Sequence, residues 1–216
     1  MKKIYAVNGS PRNNGSCAKI LQRALDGAAA TGADTELIEL GKLDFSGCRS
    51  CFACKLKNGS SYGKCAVKDD LSEVLAKLVN GDGIIMASPI YFGAESGLFR
   101  CFMERLFFPL FSYTAPPESL APKQLKTAFV YTMNIPESLI SEYGYKEFLE
   151  KNARFAEMVF GDKTPEFLYV YDTYQFDDYD RYVSSMFDAA HKAEVREKLF
   201  PCFMQQAFEL GCRMAK

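Results

Sequence analysis

A polar segment between an apolar run and a helical pattern has the composition of a phosphate-binding loop. It follows apolar residues 4–7 and reads Asn8-Gly9-Ser10-Pro11-Arg12-Asn13-Asn14-Gly15-Ser16. Its glycines permit tight turns, and a helix that begins near Ser16 directs unpaired N–H groups into the loop. Ser10, Asn14 and Ser16 can donate hydrogen bonds, and Arg12 adds a fixed positive charge with bidentate donors. The segment therefore predicts a site for a dianionic phosphate.

The spacing of this segment differs from that of the common nucleotide loops. It is not G-x-G-x-x-G, and it lacks the Gly-Lys-Ser/Thr ending of a P-loop. A strand-to-helix turn with polar capping residues would use the same residue types. The segment alone leaves both interpretations open.

Two further segments end predicted strands and carry side chains suited to a flat ring. The first consists of Pro89, Ile90, Tyr91, Phe92 and Gly93, and the second of Thr132, Met133 and Asn134. Pro89 stiffens the strand exit, Gly93 lets the backbone come close, and the two aromatic residues offer ring surface. The Asn134 amide can hydrogen-bond a ligand edge or cap a turn. The aromatic residues also fit a core or a subunit interface.

Four of the eight cysteines form the pattern Cys48-x2-Cys51-x2-Cys54, followed by Cys65. Thiolates at this spacing can ligate one side of a [4Fe–4S] cluster, and such a cluster needs four sulfur ligands. Zinc also binds four thiolates, but two separated Cys-x2-Cys pairs are its usual spacing. A loop without metal is the third interpretation. The other cysteines lie in helical patterns as small core residues, and His191 is the only histidine, which excludes a His-based metal centre.

Five apolar runs alternate with helical patterns along the chain. The predicted strands are residues 4–7, 35–40, 83–88, 127–132 and 166–171, and the predicted helices are residues 16–30, 71–79, 95–110, 145–160 and 189–213, the last with an interruption at Pro201. This alternation predicts a parallel α/β sheet with right-handed crossovers. Strand order 2-1-3-4-5 would bring the loops after strands one and three together at one ligand site.

Composition indicates a single domain over residues 1–216, with a Cys-rich insertion at about residues 47–67. A formal net charge of -1 argues against nucleic acid or an anionic membrane surface as the main partner. No apolar run approaches the roughly 20 residues of a membrane span, and the first residues resemble a strand rather than a signal peptide. We expect a cytoplasmic protein, in which clustered cysteines more often indicate metal or redox chemistry than disulfides.

These motifs resemble those of the flavodoxin-like NAD(P)H-dependent FMN reductase and iron–sulfur flavoprotein families. The matching residues are Gly9-Ser10-Pro11-Arg12 with Asn14, Gly15 and Ser16, and the block Ser88–Gly93 with the helix that follows it. The resemblance implies a flavodoxin-like three-layer sandwich with a five-stranded parallel sheet. It places the FMN phosphate on residues Ser10–Cys17 and the flavin ring against the Ser88–Gly93 block. The cysteine pattern resembles the iron–sulfur motif but has a longer final gap.

The resemblance also implies a function. We expect an FMN-dependent oxidoreductase that passes electrons from NADH or NADPH through FMN, and through a [4Fe–4S] cluster if the cysteines hold one, to a small-molecule or protein acceptor. Aromatic segments at residues 107–113 and 174–182 favour a homodimer or homotetramer. The alternatives are a non-catalytic electron carrier of the flavodoxin type and a metal-stabilised binding module without flavin.

Overall fold

A twisted sheet with five parallel strands and one short antiparallel strand organises the chain. The computed structural model describes residues 1–216. The strands are β1 (Lys3–Asn8), β2 (Asp34–Glu39), β3 (Gly83–Tyr91), β4 (Ala94–Glu95), β5 (Lys126–Thr132) and β6 (Glu166–Val170). The parallel strands lie in the order β2-β1-β3-β5-β6. This confirms the predicted order 2-1-3-4-5, in which strands four and five correspond to β5 and β6.

The sequence analysis does not predict β4, which pairs antiparallel with the end of β3. A two-residue turn joins these strands, and its residues Phe92 and Gly93 have φ values of 51° and 81°. Turns of this kind usually contain Asn-Gly or Asp-Gly, because bulky L residues rarely adopt positive φ. The Phe-Gly pair therefore carries no ordinary hairpin signal.

Eight α-helices connect and flank the strands. They are α1 (Ser16–Ala30), α2 (Leu71–Leu78), α3 (Gly97–Leu110), α4 (Glu137–Glu142), α5 (Tyr145–Leu149), α6 (Asn152–Phe160), α7 (Ala189–Lys198) and α8 (Phe200–Met214). The single helix predicted over residues 145–160 is instead two helices, and the Asn152 amide at the start of the second points inward to the hydroxyl of Tyr131 at 2.9 Å. The predicted interruption near Pro201 is confirmed, since this proline lies in the first turn of α8, where its missing N–H costs no helical bond. None of the helices has the length and apolar character that a membrane span requires.

Side chains alternate between the two faces of each strand, and helices cover both faces. In β1, Tyr5 and Val7 pack into the core beneath α2, α3 and α6, whereas Ile4 and Ala6 pack against α1 and α8. Strands buried on both faces explain the nearly continuous apolar runs of the sequence. The result is the expected three-layer sandwich, with the carboxyl ends of its parallel strands meeting at one edge.

Candidate functional site

A cavity of about 700 Å³ lies at the carboxyl edge of the sheet. The structure places eleven of the predicted contact residues around it, namely Ser10, Arg12, Asn14, Ser16, Cys17, Pro89, Ile90, Tyr91, Thr132, Met133 and Asn134. They lie at or just beyond the carboxyl ends of β1, β3 and β5, which are neighbours in the sheet. The strand order thus converts three segments that are distant in sequence into one site.

The other two predicted contacts, Phe92 and Gly93, lie outside this cavity. They form the turn between β3 and β4, and the Phe92 side chain is fully exposed. A Cβ on Gly93 would lie 3.0 Å from the Tyr145 ring, so this glycine allows α5 to approach the turn. The hairpin, which the sequence analysis does not predict, places both residues in its turn, outside the residues that line the cavity.

The loop after β1 is shaped by hydrogen bonds among its own residues. The Ser10 N–H donates to Asn8 Oδ1 at 3.0 Å, and the Arg12 N–H donates to Ser10 Oγ at 3.1 Å. Asn8 is itself held by a bond from its Nδ2 to Glu39 Oε2 at 2.6 Å. These contacts leave the Ser10 hydroxyl hydrogen free to bond a ligand.

The first turn of α1 has the properties of an anion site. Its N-cap is Gly15, and no side chain caps it, so its N–H groups remain available to a bound anion. Arg12 lies beside it with an exposed side chain and donates one hydrogen bond, from Nη1 to the Gln175 carbonyl at 2.7 Å. The remaining guanidinium donors are open to a phosphate.

Cys17 lies in the cavity wall as a neutral thiol. Burial raises the pKa of Cys17 to about 12, against an opposing hydrogen bond with Thr132. The Sγ and Thr132 Oγ1 atoms are 3.1 Å apart. This residue therefore packs and hydrogen-bonds in the wall but supplies no thiolate nucleophile at neutral pH.

Asn134 presents an unsatisfied acceptor at the cavity. Its Nδ2 donates to Gln175 Oε1 at 3.0 Å, whereas its Oδ1 is buried and has no hydrogen-bond partner. A buried acceptor without a partner is costly, and a ligand N–H or O–H group would satisfy it. Among the residues around the cavity, this atom most directly indicates a polar ligand.

A buried ion pair supports the wall that carries Asn134. The Nζ of Lys192, on α7, donates to the Asn134 carbonyl at 2.8 Å and to Asp172 Oδ1. Asp172 Oδ2 also lies 2.5 Å from His191 Nε2. Burial would raise the pKa of Asp172, but the bonds from Lys192 and His191 outweigh it and hold this pKa below its usual value. Asp172 adopts φ 52°, an unusual value for a residue other than glycine.

Several further residues around the cavity were not named individually as predicted contacts, although Gly15 lies within the predicted phosphate loop. They are Gly15, Lys19, Thr173, Tyr174, Gln175, Phe176, Asp177, Tyr182 and Arg196. Most follow β6, at the strand end where the sequence shows a cluster of aromatic and acidic residues. Arg196 comes from α7, and only the docking of that helix brings it to this edge.

The four cysteines of the predicted cluster motif line a second, smaller cavity between the Cys-rich loop and α3. Burial raises the pKa of Cys54, Lys55 opposes the rise, and Cys65 and Cys48 add to it. All eight cysteines of the chain are free thiols. No group of three or more His, Cys, Asp or Glu side chains is arranged to hold a metal ion. The four thiols are of the donor type that a [4Fe–4S] cluster requires, and they adjoin one cavity, but they are not gathered around a single metal position.

Two cations fasten this loop to α3. Lys55 Nζ donates to carbonyl oxygens at the end of the helix, among them that of Pro109 at 3.2 Å. The Arg105 side chain is fully buried and forms a bidentate pair with Asp69 through bonds of 2.8 and 3.0 Å. Its Nε also donates to Cys65 Sγ at 2.8 Å. These contacts anchor the loop to α3 at its middle and near its carboxyl end.

Comparison with known proteins agrees with this architecture. The chain aligns over 98% of its length with 98% of an NAD(P)H:quinone oxidoreductase from Methanothermobacter marburgensis, at a TM-score of 0.68 and 12% identity. It also aligns over 99% of its length with the whole of an azoreductase from Bacillus anthracis, at a TM-score of 0.66 and 13% identity. These likenesses show the fold, which defines the chain as a flavodoxin-like α/β protein.

The family follows from the sequence match. The model of the NADPH-dependent FMN reductase family matches residues 2–132, and the chain belongs to that family. An iron–sulfur flavoprotein from Methanocaldococcus jannaschii is 37% identical over 103 residues, which is 48% of this chain and 51% of the relative. The chain spans about half the length of the curated relatives it matches.

Proposed function

We propose that this chain binds FMN in the cavity at the sheet edge and acts as an NAD(P)H-dependent flavin oxidoreductase. The acceptor would be a small molecule or a protein. One observation carries the proposal: the uncapped start of α1, the open donors of Arg12 and the unpaired Asn134 Oδ1 all adjoin a single cavity. Family membership supports the same ligand.

The residues around the cavity fit the different parts of FMN. The first turn of α1 with Ser10, Arg12 and Ser16 would hold the phosphate, since it offers N–H groups, hydroxyls and a positive charge. Tyr91, Ile90 and Pro89 offer ring and apolar surface to the isoalloxazine. Asn134 Oδ1 would accept a hydrogen bond from the ligand.

The protein's contribution to the reaction is binding, orientation and access. FMN supplies hydride acceptance from a nicotinamide dinucleotide and electron transfer onward. The cavity lies open at the sheet edge, so a dinucleotide and an acceptor can enter in turn. The neutral Cys17 thiol and its Thr132 partner keep charge out of the adjoining wall. No protein acid or base is required for hydride transfer.

We further propose that Cys48, Cys51, Cys54 and Cys65 hold a [4Fe–4S] cluster. Their arrangement around one cavity and the iron–sulfur flavoproteins among the relatives support this assignment. Such a cluster accepts and donates single electrons when it is bound. Ligation would require Cys65 Sγ to bind iron while it accepts the hydrogen bond from Arg105 Nε. It would also require the loop to move the four thiols closer together.

A visible spectrum with FMN, iron and sulfide quantified after anaerobic purification tests both assignments. We expect one FMN per chain, and oxidation of NADPH or NADH in the presence of ferricyanide. Absence of FMN binding after reconstitution would contradict the proposed function. Flavin binding with no nicotinamide oxidation would instead identify a carrier of the flavodoxin type.

A further inference from the structure

The cavity carries more positive charge than one phosphate loop supplies. Its basic residues are Arg12, Lys19 and Arg196, and Asp177 is its one acidic residue. The chain as a whole has a formal net charge of -1. Basic residues are thus concentrated at this opening, which favours anionic ligands. Arg12 and Lys19 belong to the predicted phosphate loop and its helix, but Arg196 comes from a separate element.

Helix α7 is anchored to the cavity wall by its buried residue. Lys192 is 4% exposed and is the one buried residue of this helix. It bonds Asp172 and the Asn134 carbonyl, both at the ends of strands that border the cavity. Arg196 lies four residues later, on the same face one turn along the helix. The Lys192 contacts therefore set the position from which Arg196 reaches the cavity.

Aromatic rings hold the Arg196 guanidinium without neutralising it. Its central carbon lies 5.6 Å from the centroid of the Tyr174 ring and 5.1 Å from that of Phe200. No carboxylate, carbonyl or hydroxyl forms a hydrogen bond or an ion pair with this side chain in the structure. These cation–π contacts limit the motion of the guanidinium, while all of its N–H donors stay free. An oriented cation with unused donors is suited to bidentate recognition of a phosphate.

We propose that Arg196 is a phosphate-binding residue of the cavity and acts from the wall formed by α7 and the segment after β6. This inference rests on the proposed function. The phosphate has two sources in that function, the FMN phosphate and the phosphates of the nicotinamide dinucleotide. Both present the same anionic oxygens to the guanidinium, and affinity measurements for each ligand distinguish them.

The test compares Arg196→Gln with Arg23→Gln as a matched control. Arg23 is likewise an arginine that packs over an aromatic ring, with its guanidinium carbon 4.3 Å from the Phe208 centroid, but it pairs with Asp26 at 3.6 Å and lies outside the cavity. We would measure the Kd of FMN for each apoprotein and the Kd of NADP⁺ for each FMN-loaded protein. We expect Arg196→Gln to weaken one of these by about tenfold, as for a lost charge-assisted hydrogen bond at an exposed site. Arg23→Gln should change neither.

Each outcome decides between the sources or overturns the inference. A raised FMN Kd assigns Arg196 to the flavin phosphate, and a raised NADP⁺ Kd with unchanged FMN affinity assigns it to the dinucleotide. The variant Arg196→Lys, which keeps the charge, should recover part of the loss. If both Kd values of Arg196→Gln stay within twofold of wild type, the inference is wrong and the proposed function stands. If wild type binds neither ligand, the proposed function is wrong as well.

Discussion

Replacing Lys192 by methionine is the sharpest test of how this site is supported. The substitution keeps most of the side-chain volume but removes the ammonium group. That group bonds Asp172 Oδ1 and the Asn134 carbonyl inside the protein. The lysine side chain is 4% exposed and the Asp172 side chain 10% exposed. Lys192→Met therefore leaves a nearly buried carboxylate with one remaining partner, His191.

The expected cost follows from that geometry. Removing one member of a buried ion pair typically costs about 3–5 kcal/mol, because the other charge stays buried without its partner. His191 Nε2 still lies 2.5 Å from Asp172 Oδ2. We therefore expect the free energy of unfolding at pH 7 to fall by about 2–3 kcal/mol, below the range for an unpaired charge.

The pH dependence has a defined sign. The pKa of Asp172 in the folded wild type lies below its usual value, so its ionised form contributes stability above the unfolded pKa. That contribution is lost as the pH falls through the folded pKa. In Lys192→Met, His191 alone opposes the effect of burial on the pKa of Asp172, so Asp172 takes up a proton at higher pH than in wild type. Protonation then removes the uncompensated buried charge. The stability difference between wild type and variant should therefore narrow between pH 7 and about pH 4.5.

Urea unfolding followed by circular dichroism at pH 7 and at about pH 4.5 measures this difference. The matched control is Lys198→Met on the same helix, where an exposed lysine pairs with Glu194 at 2.9 Å. We expect the control to stay within about 0.5 kcal/mol of wild type. The reasoning fails if Lys192→Met also costs less than about 0.5 kcal/mol, or if its cost is the same at both pH values.

Three further predictions concern the ligands and the assembly. Arg12→Ala should weaken FMN binding by about 1.5–3 kcal/mol, roughly ten- to a hundredfold, in a fluorescence titration, and unchanged affinity would remove Arg12 from the site. Cys54→Ala should abolish the uptake of four irons per chain on anaerobic reconstitution without affecting FMN binding. The control Cys202→Ala, at an exposed position, should change neither iron uptake nor FMN binding. Iron uptake that survives the loss of Cys54 would contradict the four-ligand assignment. Light scattering should return a dimer or tetramer, because the aromatic segments 107–113 and 174–182 leave Tyr113 and Tyr182 exposed, although Phe107 and Tyr179 are buried within the chain. A monomer mass at micromolar concentration would contradict this prediction.

Local patterns determined the elements and much of the predicted site. Alternating apolar runs and helical spacing predicted the five parallel strands and α1 with its observed bounds. A short loop between a buried strand and the start of a helix can adopt few conformations. The residues of the predicted phosphate loop could therefore be named from the sequence before their surroundings were known. The four cysteines were grouped by spacing alone, and the structure places them around one cavity.

Tertiary structure decided what depends on contacts between distant segments. Phe92 and Gly93 lie outside the cavity because they form the turn of a hairpin. The positive φ values of that turn have no common sequence signal in a Phe-Gly pair. Arg196 and Lys192 lie on a mostly exposed helix without a motif, and they reach the site because a buried ion pair with Asp172 docks that helix. The unpaired state of Asn134 Oδ1 is likewise a property of packing. The spacing of residues in the sequence determines the local backbone conformation. The burial of side chains and their pairing across distant segments arise only once the chain has folded.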